Sequence, residues 1–161
     1  MEGFVKNMPA DSFDVYSFYM DTKRNTSTEY TENKARILLD SIIMLNPEIL
    51  IVSDDNAVKF LVEPNLNQLK MPIVFCGVNW TADEYKLPHK QVTGILEILP
   101  VSQAVRIVKE NCPYARKLLV LNENTTTSRK EVQVLRNLFL EEGWRTDFGV
   151  VDAFEHWETA C

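Results

Sequence analysis

Three polar clusters carry the residue types that could recognise a small molecule, and each follows directly on a short apolar run. Ser53-Asp54-Asp55-Asn56 comes straight after Ile49-Leu50-Ile51-Val52. A carboxylate there can cap the free amides of a following helix, or it can take an ammonium or hydroxyl from a ligand. Gly77-Val78-Asn79-Trp80 follows Ile73-Val74-Phe75-Cys76. Gly77 permits a tight turn, Asn79 offers both a donor and an acceptor, and Trp80 presents a flat surface suited either to stacking or to packing. Asn122-Glu123-Asn124-Thr125-Thr126-Thr127 follows Leu118-Leu119-Val120-Leu121. A loop rich in hydroxyls and amides ahead of a helix can hold an anionic group or serve as an ordinary cap.

The residue sets that catalysis would need are missing. There is no Gly-rich phosphate loop, no nucleophile elbow and no Ser/His/Asp set. Asp54-Asp55 has the look of the acidic pair of a phosphoacceptor receiver. That chemistry also requires a further strand-end Asp and a late strand-end Lys, and the fourth apolar run ends instead in Asn122-Glu123. Adjacent carboxylates point in different directions, so the pair is weak evidence for acid/base work. The chain is expected not to be an enzyme and to need no cofactor.

Two alternating periodicities must position these clusters. Residues 13–20 read as a strand, rich in Phe, Val and Tyr. Thr26 with Glu29 resembles a capping box that opens a helix reaching Leu45, with Ala35, Leu38 and Ile42 on one face and Asn46-Pro47 as the stop. The apolar run at 49–52 suits a parallel strand buried on both faces. A short helix is expected at 56–62, ended by Pro64, then a buried strand at 73–76. Residues 92–99 read as an extended crossing segment. Pro100 opens a helix that runs to Asn111, and 118–121 form a fourth buried strand. Ser128 with Glu131 gives a second capping-box pattern, Gly143 fits the position past that helix, and 145–151 form a last strand. Repeated strand–helix–strand units imply an α/β protein with parallel sheets and right-handed crossovers. In open sheets of this kind ligands bind beyond the carboxyl ends of the strands, where the three clusters stand.

The bulk composition narrows the partners. At 161 residues the chain can bury a real core, and its formal charge is -6. Nucleic acid is excluded as a partner, because phosphate binding requires a dense Lys/Arg face and the basic residues here are scattered. Lys86, His89 and Lys90 form a solvated loop. No apolar run spans a bilayer, and the N-terminus lacks the apolar core of a secretory signal. Cys76, Cys112 and Cys161 show no paired spacing, and with only His89 and His156 no metal site is expected.

Tyr19-Met20-Asp21-Thr22-Lys23-Arg24-Asn25, Ser53-Asp54-Asp55-Asn56-Ala57, Pro72 through Trp80, and Val92-Thr93-Gly94 together resemble, in order and spacing, a bacterial family of ABC transporter substrate-binding proteins. This is the uncharacterised branch with the type I periplasmic-binding-protein fold. The resemblance spans Phe13 to Glu131. It implies two parallel-sheet, Rossmann-like lobes, here 1–95 and 96–161, that close on a small solute between them. Asp55, Asn56, Asn79 and Trp80 would face the cleft from the first lobe, with Glu97 near the crossing, and Asn122 and Thr126 from the second.

The resemblance further implies an amino-acid-like ligand, an ABC permease as partner of the whole protein, and a periplasmic or extracellular, membrane-associated location. Members begin with a strand and helix ahead of the part that matches Phe13 and continue well past residue 161. The fold is therefore expected to be incomplete at both ends, residues 1–9 being the tail of the missing helix, with exposed sheet edges that favour a homodimer. Two alternatives stand beside transport: the extracellular sensing domain of a signalling protein, and a single-domain flavodoxin-like protein with one continuous sheet.

Overall fold

The computed structural model describes residues 13–152 except Pro88, together with Lys6, His156 and Trp157. The expectation for residues 1–9 falls outside the described residues, apart from Lys6.

Helix α1 (Thr28–Leu45) starts where the Ser27 hydroxyl accepts the Tyr30 amide at 3.2 Å. The expected cap, Thr26, is one residue too early. Both residues are of capping type, and only the backbone geometry selects Ser27. Asn46, at φ 47, turns the chain out of the helix ahead of Pro47. Ala35, Leu38, Leu39 and Ile42 form its buried stripe.

Three strands follow: β1 (Leu50–Ser53), β2 (Ile73–Asn79) and β3 (Val92–Glu97). They form one parallel sheet in the order β1-β2-β3, with Leu50 opposite Ile73 and Ile73 opposite Val92. Residues 92–97 are thus the third strand of this sheet rather than a crossing segment, and the crossing is left to the short piece at 98–100. The boundary expected at 95/96 lies inside β3. Gly94 allows the close approach of β2 and β3, since a Cβ there would sit 2.2 Å from the Phe75 carbonyl oxygen. Between β1 and β2 the chain makes a π-helical segment (Ala57–Val62) and a 3-10 turn (Glu63–Asn65) instead of a plain helix. Pro64 fits into the first turn of the latter, where a missing N–H costs nothing.

One face of this sheet packs on α1 and the π-helical segment, burying Val52, Ile73, Phe75, Val58 and Leu61. The opposite face leaves Ile51 and Ile95 exposed. Residues 13–20 form no ladder, contrary to the strand expected there. Their composition suits a pleated chain, but a strand also needs a neighbour to pair with, and no described strand lies alongside. Phe13, Tyr16 and Tyr19 stay 59–68% exposed. Only the end of the segment is held, by Met20 on the core and by Thr22.

The second sheet is smaller. Helix α2 (Val101–Asn111) leads to β4 (Lys117–Glu123), then α3 (Thr126–Glu141) and β5 (Arg145–Val151). β4 and β5 pair in parallel from Lys117 opposite Arg145 to Glu123 opposite Val151. Thr125, not Ser128, caps α3, its hydroxyl accepting the Ser128 amide at 3.2 Å. Gly143, at φ 77, ends the turn after that helix, as expected. Val105, Leu135, Phe139 and Trp144 form the buried core here. Two separate sheets overturn the flavodoxin-like alternative, which requires one. No helix among the described residues is long and apolar enough to cross a membrane.

Candidate functional site

The turn after β1 splits its two carboxylates. Asp54, at φ 83, turns outward, with Lys23 Nζ 3.9 Å from its carboxylate, and its Oδ1 accepts the Asp55 amide at 2.7 Å. Asp55 turns inward and is fully buried. Its Oδ1 accepts the Tyr85 hydroxyl at 2.7 Å and the Lys130 ammonium at 3.0 Å. Its Oδ2 accepts the Asn79 side-chain amide at 2.8 Å, the Asn79 backbone amide at 3.3 Å and the Thr127 hydroxyl at 3.4 Å. Burial alone would raise the Asp55 carboxyl. The hydrogen bonds from Asn79, Tyr85 and Lys130, with the Lys130 charge, outweigh it and hold the carboxyl below its ordinary value. The Tyr85 hydroxyl moves the other way, pushed far up by burial and by its bond to Asp55.

Asn79 reaches this point through a bulge in β2. Gly77, at φ +65, stands where the register shifts between Phe75 and Val78, and beyond it both Val78 and Asn79 are buried. Trp80, at φ 64, leaves the strand with its backbone amide on the Glu97 carbonyl oxygen at 2.9 Å and its ring against the second core. Trp80 also walls an open pocket of about 310 Å³ with Ile98, Leu99, Val101 and Leu138. Trp80 Nε1 is buried without a hydrogen-bond partner, and so are Asn56 Oδ1 and Asn122 Oδ1.

The residues singled out in the sequence therefore fall into distinct settings. Asp55 and Asn79 bond to each other. Asn56 donates to the Thr22 hydroxyl at 2.9 Å. Asn122 donates to Glu131 at 3.4 Å. Glu97 ends β3 beside Gly77 and is exposed. Thr126 opens α3, and its side chain lies outside the described residues. The residues missed at the site are Tyr85, Lys130 and Glu131, while Thr127, from the third cluster, meets the Asp55 carboxylate. A lysine near the amino-terminal end of a helix opposes the helix dipole, and that was the available signal for Lys130. Burial, followed by the charges of Glu123, Asp55 and Glu97, raises the Glu131 carboxyl.

Two parallel sheets, with the turns at their strand ends meeting across the start of α3, define an α/β fold of the periplasmic-binding-protein type. Comparison with solved structures gives that class its particular relatives. The chain is similar to an ABC domain in complex with L-Trp from Streptococcus pneumoniae (TM-score 0.61, 14% identity, covering 80% of this chain and 45% of that one). It is similar to a conserved domain protein from Vibrio cholerae (TM-score 0.61, 20% identity, 83% and 45%). It is also similar to a substrate binding protein with adhesive properties from Clostridium difficile, in its ligand-free, open structure (TM-score 0.59, 14% identity, 98% and 52%). The chain thus spans about half the length of the structures it matches, and at these identities the likeness is one of fold. No protein-family model matches the sequence, and no curated protein does.

Proposed function

We propose that this chain is part of a solute-binding protein that holds a small, amino-acid-like organic molecule between two lobes, one built on each sheet, and delivers it to an ABC permease. One observation carries the reading. Of the five buried polar side-chain atoms without partners among the described residues, three, Asn56 Oδ1, Trp80 Nε1 and Asn122 Oδ1, stand at the carboxyl ends of β1, β2 and β4, the other two being Trp144 Nε1 and Thr146 Oγ1. Buried polar atoms without partners are uncommon in folded proteins, and a ligand's polar groups would supply what these lack. The L-Trp held by the Streptococcus pneumoniae structure supports an amino-acid-like ligand. Binding would come from burial and lobe closure rather than from bond chemistry. A periplasmic or extracellular, membrane-associated setting follows from the same reading, as does self-association through the free edges of β1 and β3.

A thermal-shift and calorimetric screen of L-amino acids, nucleosides and small anions tests it. A true ligand at a hundred times its Kd adds about 2.7 kcal/mol to stability, roughly 5–10 °C in Tm for a chain of this size. Trp80→Ala is expected to weaken binding at least tenfold while the circular dichroism spectrum holds. A screen in which no solute raises the Tm would overturn the reading.

A further inference from the structure

The Lys130 ammonium sits in a complete cage. It donates to Asp55 Oδ1 at 3.0 Å and to the Thr81 carbonyl oxygen at 2.5 Å, and it forms an ion pair with Glu84 Oε1 at 2.9 Å. An alkylammonium has three N–H donors, and three oxygens stand within 3.0 Å of this one. The Tyr85 ring lies 5.0 Å from the same nitrogen and covers a further side, a favourable place for a cation. Asp55 is fully buried, and the Lys130 side chain is only 10% exposed.

All four groups of the cage belong to the first sheet and its loops, whereas the lysine arrives on α3 from the second. The cage is complete without Lys130. It carries two carboxylates for one ammonium, and the next residue on α3, Glu131, has a carboxyl raised by burial first and then by the charges of Glu123, Asp55 and Glu97. A site with surplus acceptors and surplus negative charge is suited to a cation. Its three-acceptor geometry fits a primary ammonium. A quaternary ammonium has no donors for it, and a planar guanidinium spreads its donors too widely.

We infer that the Asp55–Thr81–Glu84–Tyr85 cage is a recognition site for the primary ammonium of a ligand, and that Lys130 fills it as a tethered occupant the ligand must displace. This rests on the solute-binding reading and names the chemical class of the solute: a primary amine. Because Lys130 is part of α3, its displacement breaks one of the contacts between the two regions, beside the Thr127–Asp55 bond and the packing of Trp80, so entry of the amine is coupled to a loosening of the two sheets ahead of closure.

The probe is propylammonium chloride, with tetramethylammonium, guanidinium and potassium chlorides as controls at equal ionic strength. Lys130→Met empties the cage. It is expected to bind propylammonium at least tenfold more tightly than the unaltered protein and to regain thermal stability with it, but not with the three controls. The double variant Asp55→Asn, Lys130→Met should lose that response. Equal responses from the single and double variants, or equal affinity in Lys130→Met and the unaltered protein, would overturn the inference. Should Lys130→Met fail to fold, the unaltered protein labelled with ¹⁵N-lysine gives the answer. Its buried Lys130 ammonium resonance should weaken as propylammonium is added and not with potassium, and a resonance indifferent to both sinks the proposal. The outcomes separate the two readings. A solute that raises the Tm together with a cage indifferent to propylammonium removes only the cage. A cage that takes propylammonium in a protein that no solute stabilises removes only the solute-binding reading.

Discussion

The two sheets are built to different standards. The first is a three-stranded parallel sheet with a continuous core that runs from Ala35 and Leu38 on α1 through Val58, Leu69, Ile73 and Val78 to Tyr85 and Val92. The second has two strands among the described residues, and its buried cluster is Val105, Leu135, Phe139 and Trp144. A two-stranded sheet is marginal unless something packs against it. The second region draws its extra support from the first, through Trp80 packed on its core and through Lys130 and Thr127 bonded to Asp55. The lesson is a division of labour: the larger core fixes the site, and the smaller one attaches to it at a few polar points. A region attached in this way can detach without unfolding its neighbour, which is what a closing cleft requires.

The sharpest way to break this comparison is to remove the polar attachment. Asp55→Asn leaves Lys130 paired with Glu84 alone and puts an amide where Asn79, Tyr85 and Thr127 need an acceptor, at a cost on the order of 1–3 kcal/mol. The loss should fall unevenly: amide exchange should quicken across β4, α3 and β5 more than across β1 to β3. Because the folded carboxyl lies below its ordinary value, its stabilisation is present above that ordinary value and is lost as pH falls toward the folded one. Urea titrations should therefore show the gap between the unaltered protein and Asp55→Asn narrowing in acid. A uniform loss of protection over both sheets would mean the two regions unfold as one.

The same asymmetry governs what the sequence reveals. The strands at Leu50, Ile73 and Leu118 are legible as continuous apolar runs. The burial on both faces that such runs imply does not hold for β1 and β4, where Ile51 and Leu119 stay exposed because each is an edge strand with an open face among the described residues. The turns after them are legible because the chain has to change direction where such a run stops. Residues 13–20 mislead, because β-favouring composition reports the shape of a strand and not the presence of a neighbour. The starts of α1 and α3 are misplaced by one and three residues, since Thr26, Ser27, Thr125 and Ser128 are equivalent in type and differ only in backbone angle, whereas Pro100 marks the start of α2 as expected. At the site, Asp55 and Asn79 stand out as polar residues at strand ends. Their partners Tyr85, Thr127 and Lys130 lie 30, 72 and 75 positions from Asp55. No local spacing links residues so far apart; only the docking of the second region does.

A smaller effect is expected at Glu131, whose carboxyl is raised where that of Asp55 is lowered. An acid with a raised folded value holds its proton more tightly when folded, so folding is opposed increasingly as pH climbs through that value. Glu131→Gln should accordingly stabilise the protein at neutral pH and make no difference in acid, where Glu131 is protonated in both states. Its sign is opposite to that of Asp55→Asn, so paired urea titrations at pH 4 and pH 7 tell the two apart. Equal stabilisation at both pH values would assign the effect to the Asn122 contact instead of to charge.

The smallest expected effect compares the two helix caps. Ser27→Ala and Thr125→Ala each remove one hydroxyl that accepts an amide, at 3.2 Å in both cases, and each should cost about 1 kcal/mol. The chemistry is the same, but the consequences should differ. Ser27 opens the helix that covers the main core, so its loss should lower the midpoint of global unfolding. Thr125 opens α3, the helix that carries Thr127 and Lys130 onto Asp55, so its loss should appear first as faster local opening of the second region, with the global midpoint moved less. Hydrogen exchange under native conditions reads the local term, and denaturant titration reads the global one. If Thr125→Ala shifts both by the same amount, α3 is as tightly integrated as α1, and the coupling of amine entry to loosening of the sheets loses its physical basis.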